Sequence, residues 1–511
     1  MRHAWYPAAF GILLFSWLFS ASCMQQNAEI GSDSSAYDNG QSSDAFEETS
    51  GDDFTPIEKE GENQLEEDIL DTSLSCSSDS SARYGLYAEK PDAIFGPPLA
   101  RAMILSGEWV DFPIRLSEFL NYYHMTSKPS PSAVQIGLDM AARDNSAYDL
   151  FVSLSAAPLS SEQSARVNLT LSIDASESTG EDSLALIKAI CQIVYGRLSS
   201  RDTLSITTWD ENSIVLVESL HGDDDASKTA LDDALAGMVT GGATDIGVGI
   251  QTALATNADN ASIDSLNRVL IISDGRAEIG ITTKDIIEDR AALTAPFPVR
   301  MIAVGVSGDP TAYHLSTMKV LSEAGRGPHL FIDTIPEAEK VLGGYFSSLV
   351  CEGAMDVSVA LTLPPGMTLA GTPLTTSEDS SGADLTWEIA FGMGMMFVHR
   401  VSSCDGDALD GSREVRVDAE YSVPSTGEIG TADAAFTLDA LIAQETDAEI
   451  KTRAVVAYVE TLGALRTLSG DKARTRIDET SVVVKDSLNQ LTSDDDLEEI
   501  VSLLDAYRQL F

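Results

Sequence analysis

Val167–Ser178, VNLTLSIDASES, constrains this chain more than any other stretch. Val167, Leu169, Leu171 and Ile173 alternate along a β-rich run, which reads as a strand. The run ends in a D-x-S-x-S turn, Asp174 to Ser178, and a helical pattern follows at about Asp182–Leu198. Strand, acidic hydroxyl-rich turn and helix is the arrangement of a doubly wound α/β sheet, where ligands bind just beyond the carboxyl ends of strands. One carboxylate and two hydroxyls offer only oxygen ligands, which suit Mg²⁺, Ca²⁺ or Mn²⁺ rather than zinc or copper. Alone the turn says little, because Asp and Ser are also ordinary turn and helix-cap residues.

Two later stretches add to it. Gly241-Gly-Ala-Thr244-Asp-Ile-Gly247 sets a threonine in a glycine-rich loop before a helical pattern. Arg268–Ser273 is an apolar strand that runs into Asp274-Gly275. In order, the three stretches resemble the metal-ion-dependent adhesion site of von Willebrand factor type A (vWA) domains, over about Arg166–Val350. The resemblance implies that Asp174, Ser176, Ser178, Thr244 and Asp274 form a divalent-cation site, with Mg²⁺ first and Ca²⁺ or Mn²⁺ as alternatives. It further implies a protein partner that offers a carboxylate to the metal, direct contact from Thr244, and aspartates that act largely through water. Chemically, two neutral hydroxyls and two carboxylates leave the cation seeking another anionic oxygen. Glu177 reads as a solvated side chain and Asp245 as a helix cap.

Around the turn, apolar runs and amphipathic stretches alternate, the pattern of a mostly parallel sheet covered on both faces. Strands are expected at Val167–Ile173, Thr203–Trp209, Ile214–Ser219, Arg268–Ser273, Val299–Gly305 and His329–Phe331. Helices are expected at Asp182–Leu198, Ser227–Met238, Asp245–Thr256, Thr283–Ala292, Ala312–Ala324 and Pro336–Val350. A hairpin across Asp210–Ser213 makes the sheet mixed. From Met355 to about Leu438 short alternating strands with Gly, Pro and Ser turns read as a β-sandwich. Strands near 134–156 complete it, and the chain after about Ala448 is helical. The expected class is therefore α/β, a doubly wound vWA sheet inserted beside a β-sandwich, with C-terminal helices.

The ends have their own character. Met1–Ser22 reads as a signal peptide, and Ser20-Ala21-Ser22-Cys23 resembles a bacterial lipoprotein cleavage box with Cys23 as the lipidated residue. Residues 23–82 are Ser-, Asp- and Glu-rich and read as an acidic tether. The expected organisation is 1–22 leader, 23–82 tether, 83–165 N-terminal helix and strands, 166–350 vWA domain, 351–440 sandwich and 441–511 helices. A helix like Arg115-Leu-Ser-Glu-Phe-Leu-Asn-Tyr-Tyr123 ahead of a vWA domain also resembles bacterial exported vWA proteins related to calcium-activated chloride channel proteins.

With 80 acidic and 32 basic residues the net charge is −48, which repels nucleic acid and anionic membranes and leaves a lipid anchor as the expected membrane link. The six histidines lack zinc spacing, and no G-x-x-x-x-G-K-[ST] loop or G-x-S-x-G elbow occurs. No catalytic residues are assigned; an envelope binding protein is expected, with a metal-stabilised scaffold as the alternative and a metal-dependent hydrolase behind both. Cys191 falls on an apolar helix face, and Cys351 and Cys404, flanking the first sandwich strands, are expected to pair.

Overall fold

In the computed structural model, which describes residues 81–86, 94–123, 134–142, 147–157, 166–262, 265–276, 299–371, 387–390, 393–404, 410–423, 427–443 and 445–511, the apolar runs of the sequence become strands of three sheets. The expected leader, most of the tether, Cys23, Cys76 and the helix expected at Thr283–Ala292 lie outside the described residues. Along the chain come β1 (Ala82–Leu86), β2 (Val134–Ala142), β3 (Ala147–Ala156), β4 (Arg166–Asp174) and β5 (Thr203–Trp209). Then follow β6 (Ser213–His221), β7 (Ser265–Ser273), β8 (Val299–Gly305), β9 (Arg326–Phe331) and β10 (Glu352–Leu363). Last come β11 (Met367–Gly371), β12 (Trp387–Ala390), β13 (Gly394–Ser403), β14 (Glu414–Ser422) and β15 (Ile429–Thr437).

The six-stranded sheet has the order β6-β5-β4-β7-β8-β9. All its pairs are parallel except the edge hairpin β5–β6, so the sheet is mixed as its sequence suggested. Every residue of β4 after Arg166 is buried, which is why its polar positions carry small Ser and Thr or the bonded Asn168. Asn168 and Asn257 satisfy one another: Asn168 Nδ2 donates to the Asn257 carbonyl at 2.8 Å, and Asn257 Nδ2 donates to that of Asn168 at 3.1 Å. This fixes the helix Ile246–Asp259 on the sheet. That helix approaches β5 closely because Gly249 lies on Trp209; an added Cβ would sit 2.6 Å from the indole.

The other two sheets, β1-β10-β14-β15 with β12 beside β10, and β11-β13-β3-β2, face each other. Leu150, Leu154 and Phe397 from one meet Val359, Leu361 and Val417 from the other in a single apolar core. β2 and β3 precede the six-stranded unit in the chain, and β11 and β13 follow it, so that unit is an insertion in the sandwich. At the C-terminal end the helices Asp447–Leu465, Gly470–Leu491 and Asp495–Tyr507 pack together. The Asp494 carboxylate accepts from Leu497 N at 3.0 Å and caps the last of them. Helix Gly96–Ser106 was not read from the sequence, although its Pro97-Pro98 start and left-handed Gly107 stop are ordinary helix punctuation. No helix among the described residues is long and apolar enough to cross a membrane.

The expected Cys351–Cys404 pairing is not formed. Cys351 is a buried free thiol, whereas Cys404 is disulfide-bonded. The reason is strand length. Cys351 precedes β10, and Cys404 N bonds Gly366 O beyond its far end. A strand of 12 residues spans roughly 40 Å, whereas a disulfide needs Cα atoms within about 7 Å. Cys191 is buried, and burial pushes its thiol up to about 12.

His399 sits on β13 with only 4% of its surface exposed, on the same side as Phe397 and Val401. Neither ring nitrogen has a hydrogen-bond partner, and burial pushes its pKa down to about 4. The unfolded chain takes up the proton near pH 6.5, so the stability His399 permits is complete at neutral pH and lost as pH falls from about 6.5 to about 4. The loss amounts to about 3 kcal/mol. Urea midpoints at pH 7 and pH 4.5 should therefore draw together in His399→Phe; an unchanged pH slope in that variant would remove His399 as the cause.

Candidate metal centre at the carboxyl end of the six-stranded sheet

β4 and β7 lie side by side and parallel, in register at Ile173 and Ile272. Their carboxyl ends therefore deliver Asp174 and Ser273-Asp274 to the same edge of the sheet. The turn after β4 is pinned by its own residues. Asp174 Oδ1 accepts from Ser176 N at 3.0 Å and from Ser176 Oγ at 2.6 Å, and Ser176 Oγ lies 3.1 Å from Ser178 Oγ. Thr179 Oγ1 donates to the Asp174 carbonyl at 3.2 Å.

The glycine-rich loop docks on this turn through its backbone. Gly241 N donates to Ala175 O at 2.9 Å, and Glu177 N donates to Gly242 O at 3.1 Å. Gly242 takes a positive φ of 81°, and a Cβ there would meet the Asp210 and Glu211 side chains. Ala243 N donates to Glu211 Oε2 at 2.7 Å and Asp245 N to Asp210 O at 2.9 Å, so both flanks of Thr244 are held. Thr244 is 1% exposed, and its hydroxyl makes no hydrogen bond among the described residues. Asp245 caps the next helix, accepting from Gly247 N and Val248 N at 2.9 and 3.3 Å, the role read for it from the sequence.

The third loop closes the site. Ser273 Oγ donates to Asp174 Oδ2 at 2.6 Å and accepts from Gly275 N at 2.9 Å. Asp274 Oδ1 accepts from Arg276 N at 2.8 Å. Ser273 was missed in the sequence; it stands one residue before Asp274, and only the parallel register shows that it faces Asp174. Glu211 was missed as well, because its role depends on the β5–β6 turn reaching the loop of Thr244.

Asp174 is fully buried and its pKa rises to about 6, chiefly from burial, with the neighbouring Asp274 charge adding to the rise and the hydroxyl and amide bonds opposing it. Among the described residues no Lys, Arg or His forms an ion pair with Asp174 or Asp274. Two carboxylates with neighbouring hydroxyl oxygens are the donor set of a hard divalent ion, so the residues fit one. Among the described residues no group of three or more His, Cys, Asp or Glu side chains could hold a metal ion.

Residues 168–340 match the von Willebrand factor type A domain family. The chain is 26% identical over 264 residues to the Uncharacterized protein YfbK of Escherichia coli K12, covering 49% of this chain and 45% of that protein. The chain thus matches less than half the length of that curated relative. Among solved structures it resembles a von Willebrand factor type A protein from Catenulispora acidiphila, with 16% identity, TM-score 0.42, and 71% and 88% of the two chains covered. It also resembles the ArnB paralog VWA2 from Sulfolobus acidocaldarius, with 14% identity, TM-score 0.35, and 74% and 98% covered.

Proposed function

We propose that this chain, which contains a von Willebrand factor type A domain, is a binding protein of the cell envelope that captures a protein partner through a divalent cation. Asp174, Ser176, Ser178, Thr244 and Asp274 hold the ion, Mg²⁺ in the first instance, and a partner carboxylate completes its shell. Export and a lipid anchor at Cys23 place the domain outside the cytoplasm. The observation that carries the reading is the buried Asp174 carboxylate, which among the described residues bonds hydroxyls and an amide and pairs with no basic group. A bound cation would relieve that burial and would engage the uncommitted Thr244 hydroxyl.

A scaffold role is the second reading. It is favoured by the buried guanidinium of Arg101, which joins helix Gly96–Ser106 to Asp333, Glu337 and Glu499 and so makes one body of distant parts of the chain. Calorimetric titration of the metal-stripped chain with Mg²⁺, Ca²⁺ and Mn²⁺ decides between them. Saturable one-site heats support capture through the ion. Non-saturating heats that vanish at 0.5 M salt, roughly where screening removes diffuse surface attraction, leave the scaffold.

A further inference from the structure

The rim of the metal centre is acidic. Exposed Glu177 stands on the first loop, and Asp210 and exposed Glu211 press against Gly242 of the second. Exposed Asp182 lies beside Gly308, next to exposed Asp309. Among the described residues the basic groups near this rim include Arg276, Lys188 and exposed His314, whose backbone N donates to Asp274 O at 2.9 Å. Arg276 faces Asp309, and Lys188 already donates to Met238 O at 2.9 Å. A divalent ion would cancel Asp174 and Asp274 and no more. The rim charge would remain, on a chain of net charge −48.

A partner carboxylate approaching such a rim is repelled before it reaches the ion. We infer that the partner presents its carboxylate from within a basic surface, so that lysines or arginines around one Asp or Glu meet Glu177, Asp182, Asp210, Glu211 and Asp309. This rests on the metal-capture reading above and names the partner's chemistry. The carboxylate supplies the bond to the ion; the surrounding cations supply charge complementarity, speed encounter and exclude acidic competitors. Val239, 75% exposed just before the Gly241 turn, adds one apolar contact at the rim.

The test uses the full chain and four synthetic peptides of equal length, measured by fluorescence anisotropy in Mg²⁺ and in EDTA. Three carry one central Asp, flanked by Lys, by Ser or by Glu; the fourth is Lys-flanked with Asn at the centre. The Lys-flanked Asp peptide should bind about tenfold or more tighter than the Ser-flanked one, with the Glu-flanked peptide weakest. Its binding should fall in EDTA, with Asn, and with rising salt. Glu177→Lys with Asp182→Lys should shrink the preference. Equal affinity for the three Asp peptides, or no binding by the Lys-flanked one at millimolar concentration, overturns the inference. Lys-flanked binding that is the same in EDTA and with Asn also overturns it, since the acidic surface alone then captures polycations. A parallel Mg²⁺ titration separates the two levels. Saturable Mg²⁺ binding without the peptide ranking sinks only the partner chemistry, whereas no Mg²⁺ binding sinks the metal reading and this inference with it.

Discussion

Arg101→Met should destabilise the folded chain by about 3–5 kcal/mol, read as a fall in the urea midpoint at neutral pH. Arg101 is 9% exposed, and its guanidinium binds Asp333 with two nitrogens, at 2.8 and 2.6 Å. The same group reaches Glu337 Oε2 at 2.8 Å and Glu499 Oε2 at 2.9 Å. Tyr122 donates to Glu337 Oε2 at 2.8 Å, and Lys340 Nζ stands 3.9 Å over the Tyr122 ring. One cation thus faces three carboxylates drawn from the segment after β9 and from the last long helix. Removing it leaves those charges desolvated and mutually repelling, which costs more than the pairing itself is worth. Arg101→Lys should recover little, because an ammonium cannot fork across Asp333 while reaching Glu337 and Glu499. Burial already raises the Glu337 pKa, and loss of Arg101 removes the strongest influence holding it down. The deficit of Arg101→Met should therefore narrow as pH falls and the carboxylates protonate. A loss below about 1 kcal/mol would mean that the network behaves like a solvated surface pair.

None of that network was legible in the sequence. Arg101 stands 232, 236 and 398 positions from Asp333, Glu337 and Glu499, and nothing local distinguishes any of the four from solvated charges. The three loops of the proposed metal centre were legible because each is a local pattern. A turn of D-x-S-x-S, a glycine-rich Thr loop and a strand running into Asp-Gly can each be read from a few consecutive residues. Likewise β4, β5, β7 and β8 announced themselves by apolar runs with few competing signals. The sandwich was less clear. β13 has the uneven pattern GMMFVHRVSS because one of its faces meets the other sheet and the opposite face meets the helical core. With both faces partly covered, alternation fades, and a buried His399 looks like a polar break. Pairing failed for cysteines for a related reason. Flanking the same strands in sequence placed Cys351 and Cys404 at opposite ends of β10.

Asp174→Asn should have effects of opposite sign on metal binding and on the metal-free fold. Binding of Mg²⁺ should weaken about a hundredfold or more, because one of two carboxylates facing a divalent charge is lost and its Coulomb attraction exceeds several kcal/mol even at an effective dielectric near 20. The metal-free chain should gain about 3 kcal/mol at pH 7, since the folded-state pKa of Asp174 stands at about 6 against 3.8 for the free group. The sign follows from proton uptake. Between those values the folded state binds more protons than the unfolded one, so metal-free wild-type stability rises as pH falls from about 6 towards 3.8. In the Asn variant that rise should be absent, while Ser176 and Ser273 keep hydrogen-bonding partners at the same position. His399 acts in the reverse direction over nearly the same pH range, so the two are separated only by comparing Asp174→Asn, His399→Phe and the double variant. Thermal melts in EDTA at pH 5 and pH 7.5 make that comparison, and saturating Mg²⁺ supplies the other half. Wild type should gain stability from the ion and the Asn variant should not. A variant that melts lower than wild type without metal would mean that Asp174 serves the fold through its hydrogen bonds. A variant that still gains from Mg²⁺ would move the cation away from this turn.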